Sequence, residues 1–209
     1  LDRQDAGVRQ ILRHLVPVLT ALGVVQLSSF VDLQIASYLP VGATTTMTYA
    51  NTLALLPVSL FGVSVAAAAL PDLSRDSSAM AFDVLRERLR AGWQRILFYV
   101  VPSAVAFMVV GDYCVGLLYR SGQFGAVEQH AVHVTLAAYA VGLVSFGSVK
   151  LLGSVHYALQ DYRTPLRASL LSIVISAAAA ASLAYLFRSS TLAVAGIALG
   201  SALGSYANL

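Results

Sequence analysis

Two charged side chains, Asp32 and Lys150, interrupt runs of residues that are otherwise almost wholly apolar. A charge surrounded by apolar sequence is expensive, by about 2.5–3.5 kcal/mol at the centre of a bilayer, and is normally kept for a partner, an ion or a watery cavity. Asp32 follows Gln26 and Ser29 at three-residue steps, so the three share one face of a helix. That stripe reads as a cavity wall or as an ion or proton site. The alternative is a residue reaching the outer interface, since Leu39 closes the run only seven positions later. Lys150 carries the same two readings, because its long stem could also reach an interface. Tyr49, Asn51 and Thr52 form a third polar group, ahead of Pro57. A proline inside a helix removes one backbone hydrogen bond and frees a carbonyl, which membrane helices tolerate beside a cavity or a packed neighbour. Glu128, His130 and His133 have permissible ligand spacing, but no fourth ligand is evident and no metal centre is expected. There is no phosphate-binding glycine loop, no nucleophile elbow, no H-E-x-x-H and no acidic cluster suited to magnesium. The sequence therefore predicts neither an enzyme nor a cofactor, and no nucleic-acid partner.

The elements that must position these residues follow from composition. Of 209 residues, 58% are hydrophobic and only 11% charged, with a mean hydropathy of +0.76. Soluble domains carry about 25% charged residues, so a water-facing globular surface is excluded. Disorder is excluded by the same figures, and a disulfide scaffold by the single cysteine, Cys114. A helix needs about 20 mostly apolar residues to cross the hydrocarbon. Six stretches qualify: 15–39, 47–71, 96–118, 134–157, 168–187 and 189–209. The expected fold is all-α, a polytopic bundle of six transmembrane helices within membrane lipid.

Basic residues set the orientation, because cytoplasmic flanks carry the Lys/Arg excess. Arg3, Arg9, Arg13, Arg75, Arg86, Arg88, Arg90, Arg95, Arg163 and Arg167 fall on one side of a six-span topology, and Arg120 and Arg188 on the other. Both ends of the sequence are thus expected in the cytoplasm. The chain starts at Leu1, and its last apolar run reaches Leu209 without a polar flank, so we read it as an internal piece of a longer polytopic protein. Between the second and third spans, 72–95 reads either as an amphipathic helix on the membrane surface, with Phe82, Leu85, Leu89 and Trp93 at helical spacing, or as a connector whose arginines enforce topology. Gly196, Gly200 and Gly204 make a tandem G-x-x-x-G-x-x-x-G, a bare helix face suited to close packing, and the run 177–181 of alanines reads the same way.

Several strings carry a resemblance to a known family. LPVSLFGVSVAAAALPDLSRD (Leu56 to Asp76) resembles the LP-x-x-x-FGVA…LLP-x-LSR segment of the MurJ/MviN family, the lipid II flippases of bacterial peptidoglycan synthesis. HYALQDYRTP (His156 to Pro165) is similar to its FYA-x-QD-x-x-TP, with Lys150 at the place of a family lysine. LYRSGQF (Leu118 to Phe124) resembles LF-x-x-G-x-F, and QLSSFVDLQIASYLP (Gln26 to Pro40) resembles Q-x-x-x-x-VD…LAS-x-L. The resemblance implies helices seven to twelve of a fourteen-helix flippase in the bacterial inner membrane, most of a second lobe whose first lobe lies outside this sequence. It also implies a function: two lobes rock about a central cavity and carry a lipid-linked sugar headgroup outward by alternating access. Gln26, Asp32, Tyr49, Asn51, Thr52 and Pro57 would then line the cavity. Two departures stand out. Where the family's eighth helix commonly reads aromatic-Ala-Asp-Arg-Leu, this chain has Tyr49, Ala50, Asn51, Thr52 and Leu53, leaving the lobe short of cations. Where some relatives place a sodium-binding Asn or Asp on the eleventh helix, Ser172, Ser176 and Ala180 stand, so no sodium site at Asp32 is expected. Another lipid-linked glycan or a drug as substrate, or a non-transporting scaffold, are the alternative functions.

Overall fold

A computed structural model describes residues 26–63, 82–122, 124–159, 161, 163–188, 190 and 192–209. Within them all regular structure is helical. Helix α1 covers 26–37, α2 Ala43–Pro57, α3 Phe82–Val109, α4 Gly111–Tyr119, α5 Ala126–Ala158, α6 Arg163–Leu186 and α7 Leu192–Ala207. Three stretches are long and apolar enough to cross a membrane: Arg86–Val109, Ala126–His156 and Arg163–Leu186. Helix α7 is apolar but shorter. The start of the first expected span, the end of the second, and residues 72–81 of the amphipathic stretch lie outside the described residues.

Helix α5 is the axis of the bundle. Its 33 residues extend roughly 50 Å at 1.5 Å per residue, and Val132, Leu136, Tyr139, Leu143 and Leu151 are buried along it. Two of its glycines admit neighbours: a Cβ on Gly142 would lie 2.8 Å from the Ala202 Cβ of α7, and one on Gly147 2.8 Å from the Ile96 Cγ2 of α3. Polar contacts fasten the same seams. The Trp93 indole donates to the Ser148 hydroxyl at 2.8 Å, Ser145 and Ser205 hydroxyls meet at 2.7 Å, and the Tyr206 hydroxyl donates to the Val141 carbonyl at 2.9 Å. The outward faces of α3 and α6 stay apolar, with Phe98, Val105, Val109 and Val174 exposed, as lipid-facing helices require.

Helix α7 lies against α6 along its glycine face. A Cβ on Gly200 would meet the Ala180 Cα at 2.6 Å, and one on Gly196 the Leu183 Cβ at 3.0 Å. Such approach is possible only where the side chain is a hydrogen. The Ser172 hydroxyl then reaches across to the Gly204 carbonyl at 2.6 Å.

Three boundaries differ from the sequence reading. Helix α3 runs unbroken from Phe82, so 82–95 continues into the apolar stretch rather than forming a separate element. The expected span 96–118 is divided at Val110, whose φ of −114° and ψ of 8° leave the helical region before Gly111 opens α4. In α2 the α-helical pattern stops at Pro57 and gives way to a wide π-type turn, Val58–Val63. Pro57 has no N–H to offer the Leu53 carbonyl, and the ladder widens from that point. Helix α6 has a sequence-encoded start: Asp161 Oδ1 accepts the N–H groups of Arg163 and Thr164 at 3.1 and 3.2 Å, capping its free amides.

Candidate functional site

Four helices turn polar stripes of helical period towards one space. On α1 these are Gln26, Ser29 and Asp32; on α2, Thr48, Asn51 and Thr52; on α6, Ser169, Ser172 and Ser176; on α7, Ser201 and Ser205, with Asn208 just past its end. Helix α5 adds Lys150, Tyr139 and Phe146. The result is a cavity of about 530 Å³, within the range of small-molecule sites. Lys150 and Asp32 are its charged residues among the described ones.

Asp32 is 5% exposed. Its Oδ2 accepts the Ser201 hydroxyl at 2.6 Å, linking α1 to α7. Its Oδ1 has no hydrogen-bond partner among the described residues, and neither has the Ser176 hydroxyl. A buried carboxylate oxygen left open on a cavity wall calls for a donor from within the cavity. The hydroxyls of the wall are mostly engaged: Thr48 donates to the Thr44 carbonyl and Thr52 to the Thr48 carbonyl, each at 2.8 Å.

Of the residues singled out in the sequence, Gln26, Asp32, Asn51, Thr52 and Lys150 meet in this cavity. Tyr49 and Pro57 do not belong to its lining. Tyr49 stacks on Tyr119 with centroids 4.4 Å apart and meets the Phe124 ring edge-on at 5.9 Å. The reason is angular, since a residue two positions from Asn51 is turned about 200° around the helix. Pro57 is buried at the end of α2. Gly196, Gly200 and Gly204 pack α7 on α6. Glu128, grouped in the sequence with His130 and His133, turns instead to the Gly125 N–H at 2.9 Å. Thr48, Ser201 and Ser205 were not singled out, although each sits four residues from another polar residue of its own helix, and neither was Asn208, just past the end of α7.

A second cavity, of about 610 Å³, opens beside residues 39–46, between Phe124 and Ala131 on one side and Arg188 and Val194 on the other. Among the described residues its charged lining is Glu128 and Arg188.

The family model described as lipid II flippase MurJ matches residues 1–209. The chain belongs to the MurJ family. It is 30% identical over 178 residues to a probable lipid II flippase MurJ from Haemophilus influenzae, covering 82% of this chain and 35% of that protein. The lipid II flippase MurJ of Burkholderia cenocepacia is 31% identical over 173 residues, covering 81% of this chain and 33% of that one. The corresponding Vibrio cholerae protein is 29% identical over 192 residues, 92% of this chain and 37% of its own length. The chain thus spans about a third of the curated MurJ relatives it matches. Among solved structures, a lipid II flippase MurJ in an inward closed conformation superposes with a TM-score of 0.78 at 22% identity, over 96% of this chain and 41% of that one. The all-α membrane-helix fold is therefore the MurJ fold.

Proposed function

We propose that this chain forms the cavity-bearing part of a second flippase lobe. In this reading it takes part in moving the lipid-linked peptidoglycan precursor across the bacterial inner membrane by alternating access. The observation that carries the reading is the polar cavity among apolar helices, with Lys150 and Asp32 on its wall. A pyrophosphate-linked sugar is large, polar and anionic, so it needs hydrated groups and a cation while its lipid tail stays in the bilayer. Lys150 answers the cation shortage left by Thr52. Translocation breaks no covalent bond, so the function is transport rather than enzymatic catalysis, and it calls for no cofactor. The arrangement proposed is six crossings equivalent to helices seven to twelve, with both ends of this sequence cytoplasmic and a first lobe forming the opposite wall. The ten-to-two division of arginines supports that orientation.

The test is complementation by the full-length gene product in cells depleted of their own lipid II flippase. Restored lipid II translocation is the expected result, and failure despite good membrane expression overturns the reading. One observation favours a second substrate: Asn51 and Thr52, at the positions of the family's Asp and Arg, both face the cavity. In that case another lipid-linked glycan or a drug is carried, and the same cells stay uncomplemented while transport of that molecule is measurable. A scaffold without transport would yield neither signal.

A further inference from the structure

The break at Val110 brings an acid from α4 to the paired histidines of α5. Asp112, His130 and His133 each offer one ligand atom, and the three atoms lie within 4.8 Å of one another. His133 Nδ1 is 3.9 Å from Asp112 Oδ1, and the two imidazole rings are 6.4 Å apart at 68°. The surroundings hold these groups in place. Gln129 donates its amide N–H to Asp112 Oδ2 at 2.8 Å and to the Asp112 carbonyl at 3.1 Å. That leaves Oδ1 free to face the histidines, the outer-shell orientation that ligating carboxylates receive. Two glycines of α4 make the seats. A Cβ on Gly111 would lie 2.8 Å from His133 Cδ2, and one on Gly116 2.9 Å from the Gln129 amide nitrogen. His133 Nε2 and Gln129 Oε1 are buried without a hydrogen-bond partner among the described residues.

We propose that Asp112, His130 and His133 bind a divalent transition metal of the zinc class, clamping α4 to α5 at the turn between them. Two imidazoles and a carboxylate suit Zn²⁺, with water in the fourth position. Zinc bonds of about 2.0–2.2 Å put tetrahedral ligand atoms about 3.3–3.5 Å apart, so the widest pair of the cluster must close by about 1.5 Å. His130 is exposed and Asp112 half-exposed, so both have room to make that adjustment and solvent can deliver the ion. The sequence concealed the site because its third ligand belongs to another helix. The proposal stands whatever substrate is carried.

The experiment titrates Zn²⁺ into the metal-stripped, tag-free full-length protein in detergent, with Mg²⁺ as control, and repeats it with Co²⁺ as a spectroscopic probe. Expected are one saturable equivalent of Zn²⁺, no response to Mg²⁺, and visible Co²⁺ bands of four-coordinate geometry. His130→Asn, on an exposed side chain that leaves the fold intact, should weaken Zn²⁺ binding at least tenfold, and Asp112→Asn should do the same. Absence of saturable Zn²⁺ binding overturns the proposal, as does binding left unchanged by both substitutions.

Discussion

Replacing Gly200 by alanine tests the α6–α7 seam, on which the cavity depends. The new Cβ would stand 2.6 Å from the Ala180 Cα and 2.8 Å from its Cβ. Carbon atoms rest comfortably about 3.5–4.0 Å apart, so the helices must separate by about 1 Å. With the Ala180 backbone nitrogen, which lies nearer still, these obstacles are at or next to the α6 backbone, so no side-chain rotation relieves them. Overpacking of this kind costs about 1–3 kcal/mol. A separation of about 1 Å also stretches the 2.6 Å contact from Ser172 to the Gly204 carbonyl past hydrogen-bond range, adding about 0.6 kcal/mol. We therefore expect Gly200→Ala to lose about 2–4 kcal/mol. Equilibrium unfolding of the full-length protein in mixed micelles, followed by far-UV circular dichroism, reads that loss directly. Leu203→Ala, on a 51% exposed residue of the same helix, is the control and should change stability by less than about 0.5 kcal/mol. Ala180→Gly in the Gly200→Ala background should recover only a small part of the loss, since it removes one of the three obstructing atoms and leaves the two of the backbone. If Gly200→Ala proves no worse than the control, the close-contact reasoning is wrong.

Three further outcomes follow from the same geometry. With Cys114 replaced by serine, a cysteine at the exposed Thr52 should react with a membrane-impermeant maleimide, whereas one at Ala36, 1% exposed, should stay protected; equal labelling would place Thr52 off the cavity. Lys150→Gln should weaken binding of an anionic headgroup by about 1.5–3 kcal/mol, the worth of a charged hydrogen bond, and Lys150→Arg should retain most of it; complementation titrated against expression level separates the two. Asp161→Ala should lower the thermal midpoint at neutral pH by uncapping α6. The Thr164 hydroxyl, followed by the Thr164 and Arg163 amides, holds the Asp161 carboxyl below its ordinary value, so its contribution is complete above the unfolded Asp value of about 3.9 and disappears as pH falls through the lower folded value. The gap between wild type and Asp161→Ala should accordingly be constant from pH 5 to 8 and close only in stronger acid.

Much of this architecture is written in local sequence. Helical character follows from the length of the apolar runs, and the α6–α7 seam from three glycines at four-residue spacing. The cavity was half visible: Asp32, Gln26 and Lys150 announced themselves as polar groups in apolar surroundings. Their partners did not, because Ser201 is separated from Asp32 by 169 positions and an isolated serine in a membrane helix carries no distinguishing charge. Tyr49 is turned away from the cavity that Asn51 lines, because helical angle rather than adjacency in sequence decides which face is shared. The break at Val110 lay hidden because Asp112 falls near the end of an apolar run, where a single acid reads as a span terminus. Only tertiary placement of His133 reveals why Gly111 stands there.

The hydroxyls that line the cavity impose a division of labour on any occupant. Thr48, Thr52, Ser172 and Ser201 have each spent their proton on a carbonyl or on Asp32, and a hydroxyl whose proton is committed can only accept from a ligand. Together with the open oxygen of Asp32, they make a wall rich in lone pairs. Such a wall welcomes the O–H and N–H groups of a sugar or amide and turns away bare phosphate oxygens. A headgroup that is both glycan and phosphate would therefore be read with a fixed polarity, its carbohydrate against the serine and threonine face and its anionic end towards Lys150.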